Sequence, residues 1–343
     1  MRMSDSNTKA VVGIIADTVL QQHLVGTLLA DEEILVPVNT SPAQFTTEAF
    51  NTPVDLWYVD LTLDEGFDDF LDLILEAVDV PVLIGDGQAP TRNSDEYPRW
   101  RRSFLGKLNQ QLALARASTA GEAPLSVGRP KLPPLPLPAV LSQLENTPVP
   151  QSVWVIGASL GGPGVVKEFL DALPRGLPVA FVYAQHIDAS FQQVLADTLG
   201  RHSAFDVVTA AEGAPLGYGK VILAPVEQEV RISAQGRIEA TGKHWSGPYQ
   251  PNIGEVMMGV LRRFKEHCGA IIFSGMGEDG VQASLEYQRC GAQVWAQDAA
   301  SCASSTMPDA IAHDGYCSYR GTPRELAQRL VERLAQEVSP KLG

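Results

Sequence analysis

Residues 153–166 read VWVIGASLGGPGVV, an apolar segment that breaks into small residues and then continues past a proline. Valine, isoleucine and tryptophan favour a strand, the glycines permit a sharp turn, and Pro163 fits the first turn of a helix. A strand followed closely by a helix is half of a βαβ unit, in which the paired strands run parallel. This stretch therefore predicts a parallel α/β sheet, with Ser159 at the turn after one of its strands.

The alternation of strands and helices continues through the second half of the chain. The predicted strands are SVWVIGAS, PVAFVYAQH, KVILAP, GAIIFSGMGEDG and AQVWAQD. The predicted helices are GPGVVKEFLDAL, SFQQVLADTLGRH, IGEVMMGVLRRFKEH, DGVQASLEYQRC and TPRELAQRLVERLAQEV. The segment VEQEVRISAQGRIEA predicts a β-hairpin that turns at Gly236. Residues 150–338 are therefore predicted to form a doubly wound, mostly parallel sheet of the Rossmann-like type.

The first 112 residues show a shorter run of the same pattern. Strands are predicted at 9–17, 54–61, 80–87 and 102–108, and helices at 19–31 and 67–78. Between the halves, residues 124–150 hold 8 of the 24 prolines, and proline excludes a helix or a central strand from PPLPLP. We therefore predict an α/β chain with two doubly wound parallel-sheet domains, 1–112 and 150–338, joined by a Pro-rich linker over 113–149.

Composition narrows the classes of function. The net charge is −14, and residues 1–112 alone carry 18 acidic and 7 basic side chains, with no basic stripe. This balance argues against nucleic acid and against an anionic membrane surface as partners. No apolar run reaches the roughly 18 residues that a membrane span needs, and the N-terminal stretch lacks the apolar core of a signal peptide. We therefore expect a cytoplasmic protein without direct membrane insertion.

Polar side chains directly follow several of the predicted strands. They are Ser159, Gln185, His186, Glu278, Asp279, Gln297 and Asp298. Parallel strands end at a common edge of the sheet, and open α/β folds bind their ligands there. A serine, a histidine and an aspartate are therefore expected at one edge, on three separate strands.

Two functions compete for the glycine-rich turn GASLGG. As a nucleotide loop of the G-x-G-x-x-G type, it has Ser159 in place of the middle glycine, where a Cβ obstructs the approach of a pyrophosphate. The next strand also ends in Gln185 and His186, rather than in the acid that such a loop requires. As a G-x-S-x-G turn, the loop exposes the serine hydroxyl at the start of a helix whose amides can face an oxyanion. The pattern favours a serine nucleophile over a nucleotide site.

A serine nucleophile needs a base, and the base needs a group that orients it. His186 ends the neighbouring strand and can take the proton of Ser159, while Asp279 can hold the imidazole tautomer. Each residue also has a simpler interpretation. Serines in this motif are often only turn residues, His186 is one of six histidines, and Asp279 could cap the helix that follows it. Their joint occurrence at one sheet edge favours a Ser–His–Asp triad.

Four motifs resemble those of the CheB family of chemotaxis protein-glutamate methylesterases. They are GASLGG, AQH at 184–186, FSGMGEDG at 273–280, and AQDAASC followed by MP within 296–308, in the order of the family. The resemblance covers about residues 151–335. It implies hydrolysis of glutamate γ-methyl esters on the cytoplasmic helices of methyl-accepting chemoreceptors, with release of methanol, and often deamidation of receptor glutamines.

The resemblance also implies roles for individual residues. Ser159 corresponds to the nucleophile, His186 to the general base and acid, and Asp279 to the residue that orients the histidine. The backbone amides of Leu160 and Met276 are implied as oxyanion donors. No metal and no organic cofactor is implied for this domain.

The chain departs from the family pattern at three places. Leu160 follows the serine where a threonine is usual, and PNIG at 251–254 replaces a PSVD-like segment. SSTMP replaces the usual hydrophobic residue followed by Gly-Met-Pro. These changes leave the three triad residues intact, and they bear on which receptor is the partner.

The first domain resembles a response-regulator receiver, which in this family docks over the active site until a strand-end aspartate is phosphorylated. Asp60 corresponds to the phospho-acceptor and Lys107 to the lysine after the fifth strand. Ala16 and Asp17 stand where the family has two acidic residues, so one carboxylate ligand of Mg²⁺ is missing. Asp86 stands where the family has the switch serine or threonine. Two alternatives follow. A chemotaxis histidine kinase phosphorylates Asp60 with Mg²⁺, or a degenerate receiver regulates by contact alone.

The favoured hypothesis is therefore a receptor-modifying serine esterase or amidase. Its alternative is a non-catalytic signalling or docking module with a degenerate receiver. A nucleotide-binding oxidoreductase is disfavoured by Ser159 and His186.

Overall fold

A computed structural model of the chain describes residues 9–46, 48–49, 52–61, 74, 80, 82–85, 89–119, 132–142, 149–187, 189–201 and 203–338. The chain divides into two compact units, Met1–Gly128 and Arg129–Gly343. Each unit has its own buried apolar core. In the part of the chain described, no helix combines the length and the apolar character needed to cross a bilayer.

The first unit contains a parallel sheet whose described strands follow the order β2-β1-β3-β4. The strands are β1 (Val12–Ala16), β2 (Asn39–Thr40), β3 (Leu56–Asp60) and β4 (Val82–Gly85). Helix α1 (Val19–Asp31) follows β1 and begins after the N-cap residue Thr18. These elements confirm the parallel sheet, the first three predicted strands and the helix predicted at 19–31.

The strand predicted at 102–108 is wrong, because these residues lie inside helix α2 (Tyr97–Thr119). Trp100, Phe104, Leu108 and Leu112 of this helix pack into the core at every fourth position, and Leu105 packs beside them. This helical spacing extends beyond the short apolar run that suggested a strand. Lys107 therefore lies within a helix and does not follow a strand, so its correspondence to the receiver lysine is also wrong.

Two other predictions for this unit fall on residues that the structure does not describe. Of the helix predicted at 67–78 only Ile74 is described, and it is helical and buried. Asp86 lies outside the described residues.

The second unit contains a sheet whose seven described strands are all parallel, in the order β13-β12-β11-β5-β6-β8-β7. The strands are β5 (Val153–Ala158), β6 (Ala180–Gln185), β7 (Asp206–Thr209), β8 (Lys220–Leu223), β11 (Cys268–Ile272), β12 (Gln293–Gln297) and β13 (Tyr319–Gly321). A separate antiparallel hairpin pairs β9 (Val230–Ile232) with β10 (Ile238–Ala240), and Gly236 lies in its turn with a φ of 69°. The parallel sheet and the hairpin confirm the predictions for this half.

The helices of this unit pack on both faces of the sheet. They are α3 (Ala139–Ser142), α4 (Gly162–Ala172), α5 (Gln192–Gly200), α6 (Ile253–Phe264), α7 (Val281–Arg289), α8 (Thr306–His313) and α9 (Pro323–Val338). Alternate residues of β5 face the two layers. Trp154 and Ile156 pack with α4 and α9, whereas Val153 and Val155 pack with α6 and α7.

The chain order reverses between β5 and β11. From β5 the chain runs outward through β6 toward β7, and it then returns to β11 on the other side of β5. In open parallel sheets, the carboxyl edge at such a reversal forms a crevice where ligands bind. Ser159 and Asp279 follow these two strands, so both residues belong to this edge.

Residues 132–142, which we call the strap, belong to the second unit and pack against its helices. The Leu135 amide donates to the Ala172 carbonyl of α4 at 2.8 Å. Leu141 in α3 is only 2% exposed and forms part of the core. Residues 132–142 of the segment predicted as a linker are therefore held against a helical layer of the sheet.

Candidate active site

Ser159 lies at the sharp turn between β5 and α4. Its amide donates to the Ser274 carbonyl at 3.0 Å, and its carbonyl accepts the Gly162 amide at 3.0 Å. The turn requires glycine at position 161. Gly161 has a φ of 71°, and a Cβ added there would lie 2.5 Å from the Ala303 Cβ. The serine thus lies at the strand–turn–helix junction that its motif predicts.

His186 directly follows β6, which pairs with β5. Ala158 and Gln185 are register partners, and the His186 amide donates to the Ala158 carbonyl at 3.0 Å. Ser159 and His186 are therefore the next residues on two adjacent strands, which lie about 4.8 Å apart in a sheet. The His186 side chain is 14% exposed, so it remains accessible from the crevice.

Asp279 is buried, with 4% of its side chain exposed, and it accepts hydrogen bonds from three groups. Its Oδ2 lies 2.9 Å from His186 Nε2 and accepts the Ile253 amide at 2.8 Å, and its Oδ1 accepts the Gly254 amide at 2.9 Å. These are the first two amides of α6, where the helix dipole favours a negative charge. Asp279 therefore caps α6 and not the helix that follows it, which begins after Gly280 without a side-chain cap.

The contact with Asp279 determines how the imidazole of His186 can act. A carboxylate only accepts, so in the neutral imidazole Nε2 carries the hydrogen and Nδ1 has the free lone pair. Nδ1 is thus the atom that can take a proton. Among the described residues, Ser159 Oγ makes no hydrogen bond, so the His186 imidazole contacts Asp279 but is not bonded to the serine hydroxyl. Such contacts often tighten only when substrate binds.

The amides of Leu160 and Met276 donate to no protein acceptor in the part of the chain that is described. Leu160 follows the serine directly and precedes α4. Gly275 precedes Met276, and a Cβ on Gly275 would lie 2.9 Å from the Ser159 Cβ. Leu160 thus follows the serine in the chain, and Gly275, the residue before Met276, lies beside it in space. The Met276 side chain is 36% exposed, so it does not belong to the core.

Gln185, at the end of β6, joins the backbones of the serine and the histidine. Its Nε2 donates to the Ser159 carbonyl at 2.7 Å and to the His186 carbonyl at 3.1 Å, and its Oε1 accepts the Tyr183 hydroxyl at 2.6 Å. Burial raises the pKa of Tyr183 well above its usual value, so the hydroxyl stays protonated and donates. The sequence places Gln185 at this edge but does not reveal its role, because its acceptors are backbone carbonyls.

Ser274 forms a second buried link beneath the serine turn. Its amide donates to Gln297 Oε1 at 2.8 Å, and its hydroxyl donates to the Leu160 carbonyl at 2.7 Å and accepts the Ser304 amide at 3.1 Å. Three loops at the carboxyl edge are thereby tied together. Sequence analysis missed Ser274, although a polar residue soon after an apolar strand was the available signal.

Asp60 ends β3 in the first unit and is fully buried. Its register partner in β1 is Ala16, which supplies no carboxylate. The described residues contain no group of three or more His, Cys, Asp or Glu side chains placed to hold a metal ion. Binding of Mg²⁺ and phosphorylation of Asp60 therefore both stay predictions.

Residues 154–330 match a protein-family model described as CheB methylesterase. A solved structure is also similar to this chain. It is the crystal structure of the Thermotoga maritima CheB methylesterase catalytic domain, with a TM-score of 0.51 and 26% sequence identity. The match covers 53% of this chain and 97% of that domain.

Several curated proteins named protein-glutamate methylesterase/protein-glutamine glutaminase are similar in sequence. One from Cupriavidus metallidurans is 32% identical over 57% of this chain and 57% of the relative, and one from Pseudomonas syringae pv. syringae is 34% identical over 53% and 54%. One from Burkholderia lata is 29% identical over 76% of this chain and 70% of the relative. The chain spans about half the length of the first curated relatives it matches.

Proposed function

The chain belongs to the CheB methylesterase family, and on this premise we propose that its second unit hydrolyses glutamate γ-methyl esters of proteins. The observation that carries this proposal is the contact of 2.9 Å between Asp279 and His186, at the sheet edge beside Ser159. A buried carboxylate on one imidazole nitrogen leaves the other nitrogen as a base, and a serine hydroxyl needs such a base to become a nucleophile.

In the first half-reaction, Ser159 Oγ attacks the carbonyl carbon of the ester while its proton passes to His186 Nδ1. The carbonyl oxygen becomes an oxyanion, which the amides of Leu160 and Met276 stabilise. The tetrahedral intermediate then breaks its bond to the methoxy group. That group takes the proton from the imidazolium and leaves as methanol, so a glutamyl ester of Ser159 remains.

In the second half-reaction, water attacks the glutamyl ester and gives a proton to His186 Nδ1. The new intermediate breaks its bond to Ser159 Oγ, which recovers that proton, and the glutamate side chain is released. Asp279 keeps the hydrogen on Nε2 in both halves, and its negative charge offsets the imidazolium.

Deamidation of glutamine follows the same route. The curated relatives carry a name that includes protein-glutamine glutaminase. For this chain we propose that Ser159 attacks the carbonyl of the glutamine amide, and that ammonia leaves with the imidazolium proton. The second half-reaction is then identical, so the activity requires no further residue.

The proposed substrate is a methyl-accepting chemoreceptor helix. The departure from the family pattern at 251–254 is compatible with the proposed role of Asp279. Ile253 and Gly254 support Asp279 through backbone amides, which their side chains do not alter. Asn252 accepts the Glu255 amide at 2.8 Å and so starts α6 as its N-cap. PNIG can therefore hold Asp279 through its backbone amides, as the PSVD-like segment of the family would.

Methanol release from chemoreceptor membranes that carry labelled methyl esters tests the proposal with the full-length chain. Wild type is expected to release methanol, whereas Ser159→Ala should lose about 10³-fold or more in rate. Ser233→Ala, in the turn of the hairpin, is the matched control and should keep the wild-type rate. No release from wild type, or equal release from Ser159→Ala, would favour the non-catalytic alternative.

A further inference from the structure

Tyr249 lies against the imidazole of His186, two residues before the PNIG segment. The two rings are parallel within 2°, with their centroids 5.1 Å apart. We propose that Tyr249 is a positioning residue of this active site. Its ring holds the face of the His186 imidazole and thereby directs Nδ1 toward Ser159. The catalytic meaning of this contact rests on the proposed function.

The loop that carries Tyr249 is fixed on both sides. Trp245 is buried, and its Nε1 donates to the Pro225 carbonyl at 2.8 Å. Asn252 caps α6, and its Nδ2 donates to the Ser246 carbonyl at 2.9 Å. The position of the tyrosine ring is therefore set by the fold of its own loop.

The hydroxyl end of Tyr249 reaches the GMGEDG turn, which also carries Asp279. The Glu278 amide lies 3.5 Å from the hydroxyl oxygen. Gly277 has a φ of 99°, and a Cβ there would lie 2.7 Å from the same oxygen. Tyr249 thus contacts both the base and the turn of the orienting residue, and Gly277 leaves room for it.

Two constraints are needed to fix an imidazole. The hydrogen bond from Nε2 to Asp279 sets the position of one nitrogen but still permits the ring to tilt about that bond. Contact with the Tyr249 face fixes the ring plane, and so fixes where Nδ1 points. The electron-rich face of a tyrosine also attracts a cation, which favours the imidazolium formed during attack. Neither effect involves contact with the substrate, so we expect both to act on kcat rather than on substrate binding.

Comparison of Tyr249→Phe with Tyr249→Leu in the full-length chain tests the proposal. Phenylalanine keeps the ring and lacks the hydroxyl, whereas leucine removes the ring. We expect Tyr249→Phe to keep kcat within about threefold and Tyr249→Leu to lower it about tenfold, with KM little changed in both. Tyr316→Leu, a half-buried tyrosine between α8 and β13, is the matched control and should keep kcat.

A fluorophosphonate probe provides a second readout, because it labels an activated serine without a receptor. Slower labelling in Tyr249→Leu but not in Tyr249→Phe supports the proposal, even if no variant releases methanol. Equal labelling of all three proteins, or Tyr249→Phe as slow as Tyr249→Leu, overturns it. Tyr249→Met is a second ringless variant if leucine lowers the unfolding temperature.

NMR relaxation of the His186 ring decides the matter if the wild-type serine is not labelled at all. That result contradicts the proposed function but leaves the ring contact open to measurement. Greater motion of the ring in Tyr249→Leu and not in Tyr249→Phe supports the positioning role. Unchanged ring motion in both variants overturns it.

Discussion

Asp279 receives three donors on two oxygens, and this arrangement makes the residue sensitive to the loss of one acceptor. His186 and the two first amides of α6 all donate to it. Its side chain is almost fully buried, so water cannot easily replace a lost partner. The same carboxylate therefore supports a helix N-terminus and sets the tautomer of the imidazole.

Asp279→Asn should lower kcat strongly and should lower the stability of the fold less. One carboxylate oxygen becomes an NH₂ group, which cannot accept from the α6 amides. If it turns to His186, it donates to Nε2 and moves the ring hydrogen to Nδ1, which removes the base. We expect kcat for methanol release to fall about 10⁴-fold, the scale seen when a triad aspartate becomes asparagine.

Asp314→Asn, at an exposed aspartate after α8, is the control for this variant and should keep the wild-type rate. Thermal unfolding of both variants shows whether the fold is retained. A rate for Asp279→Asn within tenfold of wild type would mean that another group orients the histidine.

The three proposed triad residues could be predicted from the sequence because each follows an apolar strand. A strand is visible as a local run, and parallel strands share one carboxyl edge. The contacts of Tyr249 and of the α6 amides could not be predicted in this way. They form only when the segment 249–254 folds back against His186 and Asp279, and that segment has no period, while its PNIG departs from the family's PSVD-like pattern.

At the scale of elements, Gln185 joins the carboxyl ends of β5 and β6 at their last paired position. It donates to one carbonyl beyond each strand and accepts from Tyr183 within β6. Gln185→Leu keeps much of the volume but leaves both carbonyls and the Tyr183 hydroxyl without this partner. We expect the free energy of unfolding to fall by about 1–3 kcal/mol, and kcat to fall with it because both turns loosen.

Denaturant unfolding and methanol release measure the two effects of Gln185→Leu. Gln288→Leu removes an exposed side chain that donates to the Gly315 carbonyl at 3.3 Å, and it should change neither quantity. An unchanged free energy of unfolding in Gln185→Leu would show that the strand ends are held by the ladder alone.

The elements that the sequence predicts well are those with long or sharply bounded patterns. Helix α1 has the predicted limits, and β5 runs into its glycine turn as expected. Residues 102–108 were misassigned because a short apolar window can belong to a strand or to a helix, and only the four-residue spacing from Trp100 to Leu112 decides. The strands β7 (DVVT) and β13 (YRG) were not predicted, because neither contains the apolar run that identifies β8, which has the same length as β7.

At the scale of the whole molecule, the strap determines where the second unit begins. Leu141 is buried in the core of that unit, and the Leu135 amide pairs with α4. Arg324, near the start of α9, donates to the Pro133 carbonyl at 2.9 Å. A fragment cut near residue 150, where the composition changes, loses all of these contacts.

We therefore expect a fragment of residues 129–343 to be more stable than one of residues 149–343 by about 2–5 kcal/mol, since removal of a buried leucine opens the core. Denaturant unfolding measures the difference. Within the longer fragment, Leu141→Ala should reproduce much of the loss, whereas Leu132→Ala, at a strap residue that is 60% exposed, should change little. Equal stability of the two fragments, with no effect of Leu141→Ala, would show that the strap contacts the rest of the unit but adds nothing to its free energy of unfolding. The functional boundary would then lie near residue 150.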